Sequence, residues 1–211
     1  TRYLESTGMQ MSGFREAIRE VVLVEGRTIY LAGSLVEGLG TSHSDIDIFI
    51  IGGPPIDLPR YGSVQGVRID EFALDIEHWT VQAAQALLDR LHERPFDQEH
   101  NPASVMEFSE LEVEFLHRLA HSTPLATSQL YEDLLARLDT RNVARLVFDR
   151  AILRIGTAHE DIVGLVDCGD LESAKYLAQS LTGFVADLVL SSSGDSSPSE
   201  KWRIRRLRRL M

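Results

Sequence analysis

The spacing of hydrophobic residues along the chain changes in character near residue 100. Before this point, short runs of β-branched and aromatic residues predict strands, separated by segments rich in glycine and proline. After it, hydrophobic residues recur three and four positions apart, which is typical of helices. We therefore predict an α+β fold: a small mixed β-sheet domain with helices on one face at residues 1–100, followed by an α-helical bundle at residues 101–211.

The predicted elements of the first half alternate between helix and strand. In chain order they are a helix at residues 12–25, strands at residues 28–32, 44–51 and 67–79, and a helix that starts after Thr80. The third strand is long enough to bend into two strands near Glu71. The second half is predicted to hold helices at residues 110–120, 128–138, 141–166, 171–190 and 201–210.

The composition is that of an ordinary globular protein. Of the 211 residues, 44% are hydrophobic and 25% are charged, which argues against a disordered chain. No apolar run approaches the ~20 residues that span a bilayer, and no export signal opens the sequence, so we expect no membrane association. The single cysteine, Cys168, excludes an internal disulfide and fits a reducing cytoplasm.

The charge of the chain bears on its partners. The net charge is −11, and residues 201–211 contain six of the 21 basic residues and no acidic one, so the rest of the chain is more acidic still. Such a surface repels a nucleic-acid backbone, and we expect no general nucleic-acid binding. A small triphosphate held by local groups and a divalent cation stays compatible with this charge.

A glycine-rich segment after the first predicted strand is suited to binding phosphate. The strand ends at Gly33, and Ser34 begins a turn or short helix whose free backbone N–H groups, together with the Ser34 hydroxyl, form a small anion-binding corner. Gly33, Gly38 and Gly40 lack side chains and permit a close approach by a ligand.

Two carboxylates follow this corner in the next predicted strand. Asp45 and Asp47 are two residues apart, so their side chains leave the same face of the strand, while the isoleucines between and after them leave the other face. Carboxylates that point together repel one another unless a cation lies between them, and oxygen ligands select Mg²⁺ or Mn²⁺. We therefore expect nucleoside triphosphate chemistry.

The segment resembles the nucleotidyltransferase superfamily that includes DNA polymerase beta, CCA-adding enzymes and aminoglycoside nucleotidyltransferases. Its hallmark is a hydrophobic strand followed by Gly-Gly or Gly-Ser, a gap of about nine to thirteen residues, and Asp-hydrophobic-acid in the next strand. Gly33, Ser34, Asp45 and Asp47 match this pattern. Glu37 departs from it, because many relatives carry an arginine in this turn, and the phosphates lose a positive charge there.

The resemblance also implies a third carboxylate on a later strand. The predicted strand at residues 67–79 offers Asp70, Asp75 and Glu77. Relatives place this acid between apolar residues, about five residues before a helix, which favours Asp75. Glu77 and then Asp70 stay open as alternatives.

The mechanism that the resemblance implies is metal-assisted transfer of a nucleoside monophosphate. Asp45, Asp47 and Asp75 would be the catalytic and metal-binding residues, with Mg²⁺ or Mn²⁺ as the cofactor. Gly33 and Ser34 would bind the phosphates of the nucleoside triphosphate, ATP being the expected donor. Asp75 is alternatively a general base for the acceptor hydroxyl.

In many relatives a helical domain closes over the nucleotide, which makes Lys175 and Lys201 candidates for phosphate binding, because they are the two lysines of the chain. The expected partners are a nucleoside triphosphate and a small hydroxylated acceptor, and a homodimer is compatible with the sequence.

We expect transfer of AMP to a small-molecule hydroxyl, as in antibiotic modification or natural-product tailoring. An antitoxin-like nucleotidyltransferase that modifies or binds a partner protein is the alternative, and a non-catalytic nucleotide-binding module is a third possibility.

Overall fold

A computed structural model describes residue 16 and residues 27–52, 63–69, 72–94, 107–126 and 128–211. Glu16 is helical, but the rest of the helix predicted at residues 12–25 lies outside the described residues. So does Asp70, one of the candidates for the third carboxylate.

The first half of the chain forms strands and short helices close to the predicted positions. They are β1 (Thr28–Ala32), α1 (Gly33–Val36), β2 (Ile46–Ile51), β3 (Ser63–Ile69), β4 (Phe72–Trp79) and α2 (Val81–Glu93). β3 and β4 lie on either side of Glu71, where the bend was predicted, and they pair with each other antiparallel. The predicted third strand is therefore two strands, and the first of them begins before residue 67.

The strands form one mixed sheet in the order β3-β4-β2-β1-β5. β2 and β4 are parallel, whereas the other neighbouring strands are antiparallel. Together with the helices that follow, this sheet confirms the predicted α+β fold.

One face of the sheet is the hydrophobic core. Its members occupy every second position along the strands and are buried: Ile29, Leu31, Ile46, Ile48, Ile50, Leu74, Ile76 and Leu125. Because successive side chains of a strand leave opposite faces, this packing fixes the register and directs residues 47, 49, 75 and 77 to the other face. On that other face Tyr30 and Phe49 stack, with ring centroids 5.2 Å apart.

The fifth strand was not expected, because strand patterns were predicted to end before residue 100. β5 (Thr123–Ala126) lies beyond that point and pairs antiparallel with β1. It has four residues and includes Pro124, which lacks a backbone N–H and is tolerated because β5 is an edge strand. A segment of four residues is too short to show the alternation of hydrophobic and polar residues that predicts a strand. Its extended conformation is determined by its pairing with β1.

The helices of the second half confirm the predicted ones within a few residues. They are α3 (Glu110–Ala120), α4 (Gln129–Arg137), α5 (Thr140–Asp167), α6 (Leu171–Ser192), a 3-10 turn (Glu200–Trp202) and α7 (Arg203–Leu210). A capping box starts α3, in which the Ser109 N–H donates to Glu112 Oε2 (2.7 Å) and the Glu112 N–H donates to Ser109 Oγ (3.2 Å). No described helix is long and apolar enough to span a bilayer.

The chain divides into two compact units, neither of which is one continuous stretch. The first comprises residues 1–90 and 118–138, and it contains the sheet. The second comprises residues 91–117 and 139–211, and in it α5 packs along α6. The predicted domain boundary near residue 100 stays a prediction, because the compactness of a unit does not test independent folding.

Candidate active site

Two of the predicted carboxylates lie side by side in the sheet. Asp47 on β2 and Asp75 on β4 are paired in register in the parallel part of the sheet, so their side chains leave the same face. Both are partly exposed. Gly66 on β3 faces Asp75, and a Cβ there would lie 4.0 Å from Asp75 Oδ1, so the hairpin leaves room beside this carboxylate.

Gly33 provides the space into which the Asp47 carboxylate fits. Its φ of +76° is the left-handed conformation that favours glycine. A Cβ at this position would lie 2.7 Å from Asp47 Cγ and closer still to Asp47 Oδ2. The glycine at the end of β1 therefore allows the backbone of the predicted phosphate-binding corner and the carboxylate to touch.

The loop from Ser34 to β2 brings Asp45 to the start of the strand. The Ser34 carbonyl accepts hydrogen bonds from the backbone N–H groups of Leu39 and Gly40, each at 2.8 Å. A turn at residues 41–44 follows, in which the Thr41 N–H donates to Ser44 Oγ (2.9 Å). Asp45 is exposed and is the residue directly before β2. Ile46 between them is buried, but Asp45 lies outside the strand, so its predicted place on the same face as Asp47 stays a prediction.

Arg118, a residue that the sequence did not identify, contacts this site. Its Nη1 donates a hydrogen bond to Asp47 Oδ1 (3.1 Å) and lies 3.8 Å from Glu77 Oε2. Its guanidinium also lies over the Phe49 ring, 5.4 Å from the centroid. The missing arginine at position 37 was the one signal that a positive charge had to come from elsewhere.

Glu77 differs from Asp75 in its surroundings. It is 7% exposed, and its Oε1 accepts a hydrogen bond of 2.7 Å from the indole N–H of Trp79. Its other oxygen faces Arg118. Glu77 is thus held by neighbouring side chains, whereas Asp75 is the acid in register with Asp47.

The hydroxyl of Tyr30 is buried near Glu77 and Arg118. The Tyr30 hydroxyl has no hydrogen-bond partner among the described residues, although it is fully buried. Burial raises the pKa of Tyr30 well above its usual value, and the negative charge of Glu77 raises it further, while Arg118 opposes the shift. Tyr30 is therefore a neutral member of the site.

The two candidate lysines belong to the second unit. Lys175 is exposed on α6. Lys201 is exposed in the 3-10 turn, where its Nζ lies 5.0 Å from the centroid of the Trp202 ring. Their predicted contact with phosphate stays a prediction.

The donor atoms of the site suit a magnesium ion. Among the described residues, no group of three or more His, Cys, Asp or Glu side chains is arranged to hold a metal. Mg²⁺ is usually bound through one or two carboxylates, with substrate phosphates and water as the other ligands. Asp47 and Asp75, paired in register beside Gly33, fit that requirement.

Comparison with known proteins finds one matching family model and a similar solved structure. Residues 11–112 match a family model described as a nucleotidyltransferase domain. The solved structure of a nucleotidyltransferase-like protein from Exiguobacterium sibiricum 255-15 is similar, with a TM-score of 0.52 and 14% sequence identity, which shows the fold alone. The similarity covers 92% of this chain and 63% of that one, so this chain spans less than two thirds of that structure's length. No curated protein matches the chain.

Proposed function

Because residues 11–112 match a nucleotidyltransferase domain, we propose that the chain transfers a nucleoside monophosphate, AMP from ATP, to a hydroxyl of a small acceptor. The observation that carries the proposal is the in-register pair of Asp47 and Asp75 next to the left-handed Gly33. Asp47 lies against the backbone of the predicted phosphate-binding corner, and Asp75 is its partner on the neighbouring strand.

The residues of the site have distinct roles in this reaction. Asp47 and Asp75, with Asp45, would hold Mg²⁺ or Mn²⁺, which when bound supplies charge stabilisation to the phosphates and acidifies the acceptor hydroxyl. As the alternative to its metal-binding role, Asp75 would accept the proton of that hydroxyl as a general base, while the hydroxyl oxygen bonds to the α-phosphorus and pyrophosphate leaves. The backbone at Gly33 and the Ser34 hydroxyl bind the phosphates and hold the α-phosphorus in line with the acceptor oxygen.

The remaining parts of the proposal concern partners. Lys175 and Lys201 are proposed to bind phosphate from the second unit. The acidic chain favours a neutral or cationic small acceptor over a nucleic acid. Cys168 is a free, exposed cysteine, which suits a reducing cytoplasm. A homodimer stays part of the proposal, and modification of a partner protein is its alternative.

Pyrophosphate release from ATP, measured with a panel of hydroxylated small molecules, tests the proposed function. We expect Asp47→Asn and Asp75→Asn to lower the rate by about 10²–10⁴-fold, because each removes a charged ligand or a general base. Asp45→Asn should act in the same direction. Label that passes from α-phosphate-labelled ATP to a protein instead of a small molecule would favour the alternative.

Two further variants make this test specific. Asp89→Asn alters a surface acid on α2 that is paired with Arg137, and it should leave the rate unchanged. Glu77→Gln should keep most of the activity, because Glu77 is held by Trp79 and does not pair with Asp47. Full activity in Asp47→Asn, or a larger loss in Glu77→Gln than in Asp75→Asn, would contradict the assignment.

A further inference from the structure

Arg118 forms an ion pair with Asp47, the carboxylate that is proposed to bind the metal. Its Nη1 donates to Asp47 Oδ1 at 3.1 Å, and the same atom is 3.8 Å from Glu77 Oε2. The side chains of Arg118 and Asp47 are 21% and 15% exposed, so this contact is only partly screened by water. The guanidinium therefore balances the charge of two acids on neighbouring strands.

A divalent cation that binds Asp47 must approach this guanidinium. Asp47 Oδ2 lies against Gly33, and Arg118 contacts the other oxygen, Oδ1. An ion bound to Asp47 would therefore lie close to the positive charge of Arg118. Like charges at such a distance in a partly buried site repel strongly enough to change an affinity by about tenfold or more.

We propose that Arg118 is the resident counter-ion of Asp47, and that it makes metal binding at this site depend on the nucleotide. The inference rests on the proposed function, which places the metal at Asp47. A nucleoside triphosphate carries several negative charges, and these offset the repulsion between Arg118 and the ion. The planar guanidinium, with its several N–H donors, also suits phosphate oxygens.

The coupling is reciprocal, because binding free energies are linked. If the nucleotide strengthens metal binding by some factor, the metal strengthens nucleotide binding by the same factor. Arg118 is a positioning residue in this scheme: it acts through Asp47 and makes the empty site selective for a metal that arrives with a triphosphate.

The experiment measures Mn²⁺ binding to the full chain by electron paramagnetic resonance, with and without a non-hydrolysable ATP analogue. Arg118→Met keeps an apolar stem over Phe49 but removes the charge. We expect it to bind Mn²⁺ alone about tenfold or more tightly than the unmodified protein does, and the strengthening by the analogue should shrink by a similar factor. Arg118→Lys keeps the charge and should behave like the unmodified protein.

Arg145→Met is the matched control. Arg145 donates to Asp149 at 3.0 Å and lies over the Phe148 ring, 5.2 Å from its centroid, so it combines the same two contacts within the second unit. This variant should bind Mn²⁺ like the unmodified protein. Thermal unfolding shows that each variant is folded. Where Arg118→Met is unstable, Arg118→Gln, which also removes the charge, provides the second test and should likewise bind Mn²⁺ alone more tightly.

The outcomes separate this inference from the proposed function. Mn²⁺ binding by Arg118→Met that is no tighter than that of the unmodified protein overturns the counter-ion role. So does an Arg118→Lys variant that matches Arg118→Met. If pyrophosphate release still depends on Asp47 in either case, the proposed function stands alone. If the unmodified protein binds no Mn²⁺ even with the analogue, the proposed metal site and this inference both fail.

Discussion

Replacing Gly33 with alanine tests whether the close approach of Gly33 and Asp47 forms the site. The left-handed conformation, with φ of +76°, costs an alanine about 1–2 kcal/mol. The added Cβ would also lie 2.7 Å from Asp47 Cγ, and thus force this carboxylate to move. Because a displacement of about 1 Å can cost about 10²-fold in rate, we expect pyrophosphate release to fall by about that factor.

Gly169→Ala separates backbone strain from the contact with Asp47. Gly169 has a φ of +84°, but a Cβ there meets no other atom within 4 Å. Both variants should lower the melting temperature by about 2–8 °C through strain, whereas only Gly33→Ala should lose activity. A Gly33→Ala variant with the activity of the unmodified protein would refute the reasoning, and so would an equal loss of activity in Gly169→Ala.

Two further predictions concern buried side chains near the sheet. Tyr30→Phe removes a buried hydroxyl without a described partner, so the free energy of unfolding in urea should rise by about 1 kcal/mol, and a fall of similar size would contradict this. Burial, assisted by the charge of Arg27, lowers the pKa of His78 below its usual 6.5. Between the two pKa values the unfolded chain binds more protons than the folded protein does. The free energy of unfolding is therefore highest above the pKa of His78 in the unfolded chain, and it decreases as the pH falls through the pKa of His78 in the folded protein. Thermal unfolding should show this loss below about pH 6.5, and His78→Gln should reduce it; an unchanged pH profile would exclude His78 as its source.

The sequence predicted the parts of the fold that local pattern determines. β1 and β2 were predicted from their hydrophobic runs, and α3 and α4 from helical spacing. The direction of Asp47 away from the core follows from the period of the strand, since Ile46 and Ile48 on either side of it are buried. Each of these inferences needs only neighbours along the chain.

What the sequence did not predict depends on contacts between distant segments. β5 is a strand because it pairs with β1, almost 100 residues earlier in the chain. Arg118 lies in a helix whose sequence pattern is ordinary, and its contact with Asp47 joins residues 71 positions apart. The sequence favoured Asp75 over Glu77 as the third carboxylate, and this stays a prediction; the pairing of β4 with β2, which sets Asp75 opposite Asp47, could not be predicted.

The position of β5 in the chain limits how the unit that contains the sheet can be excised. A fragment that stops at residue 112, where the family match ends, lacks both β5 and Arg118. The backbone of β1 would then be an open sheet edge, which invites pairing between molecules and aggregation. A fragment meant to keep the sheet intact must instead retain residues 118–138 and join them to residue 90 by a linker.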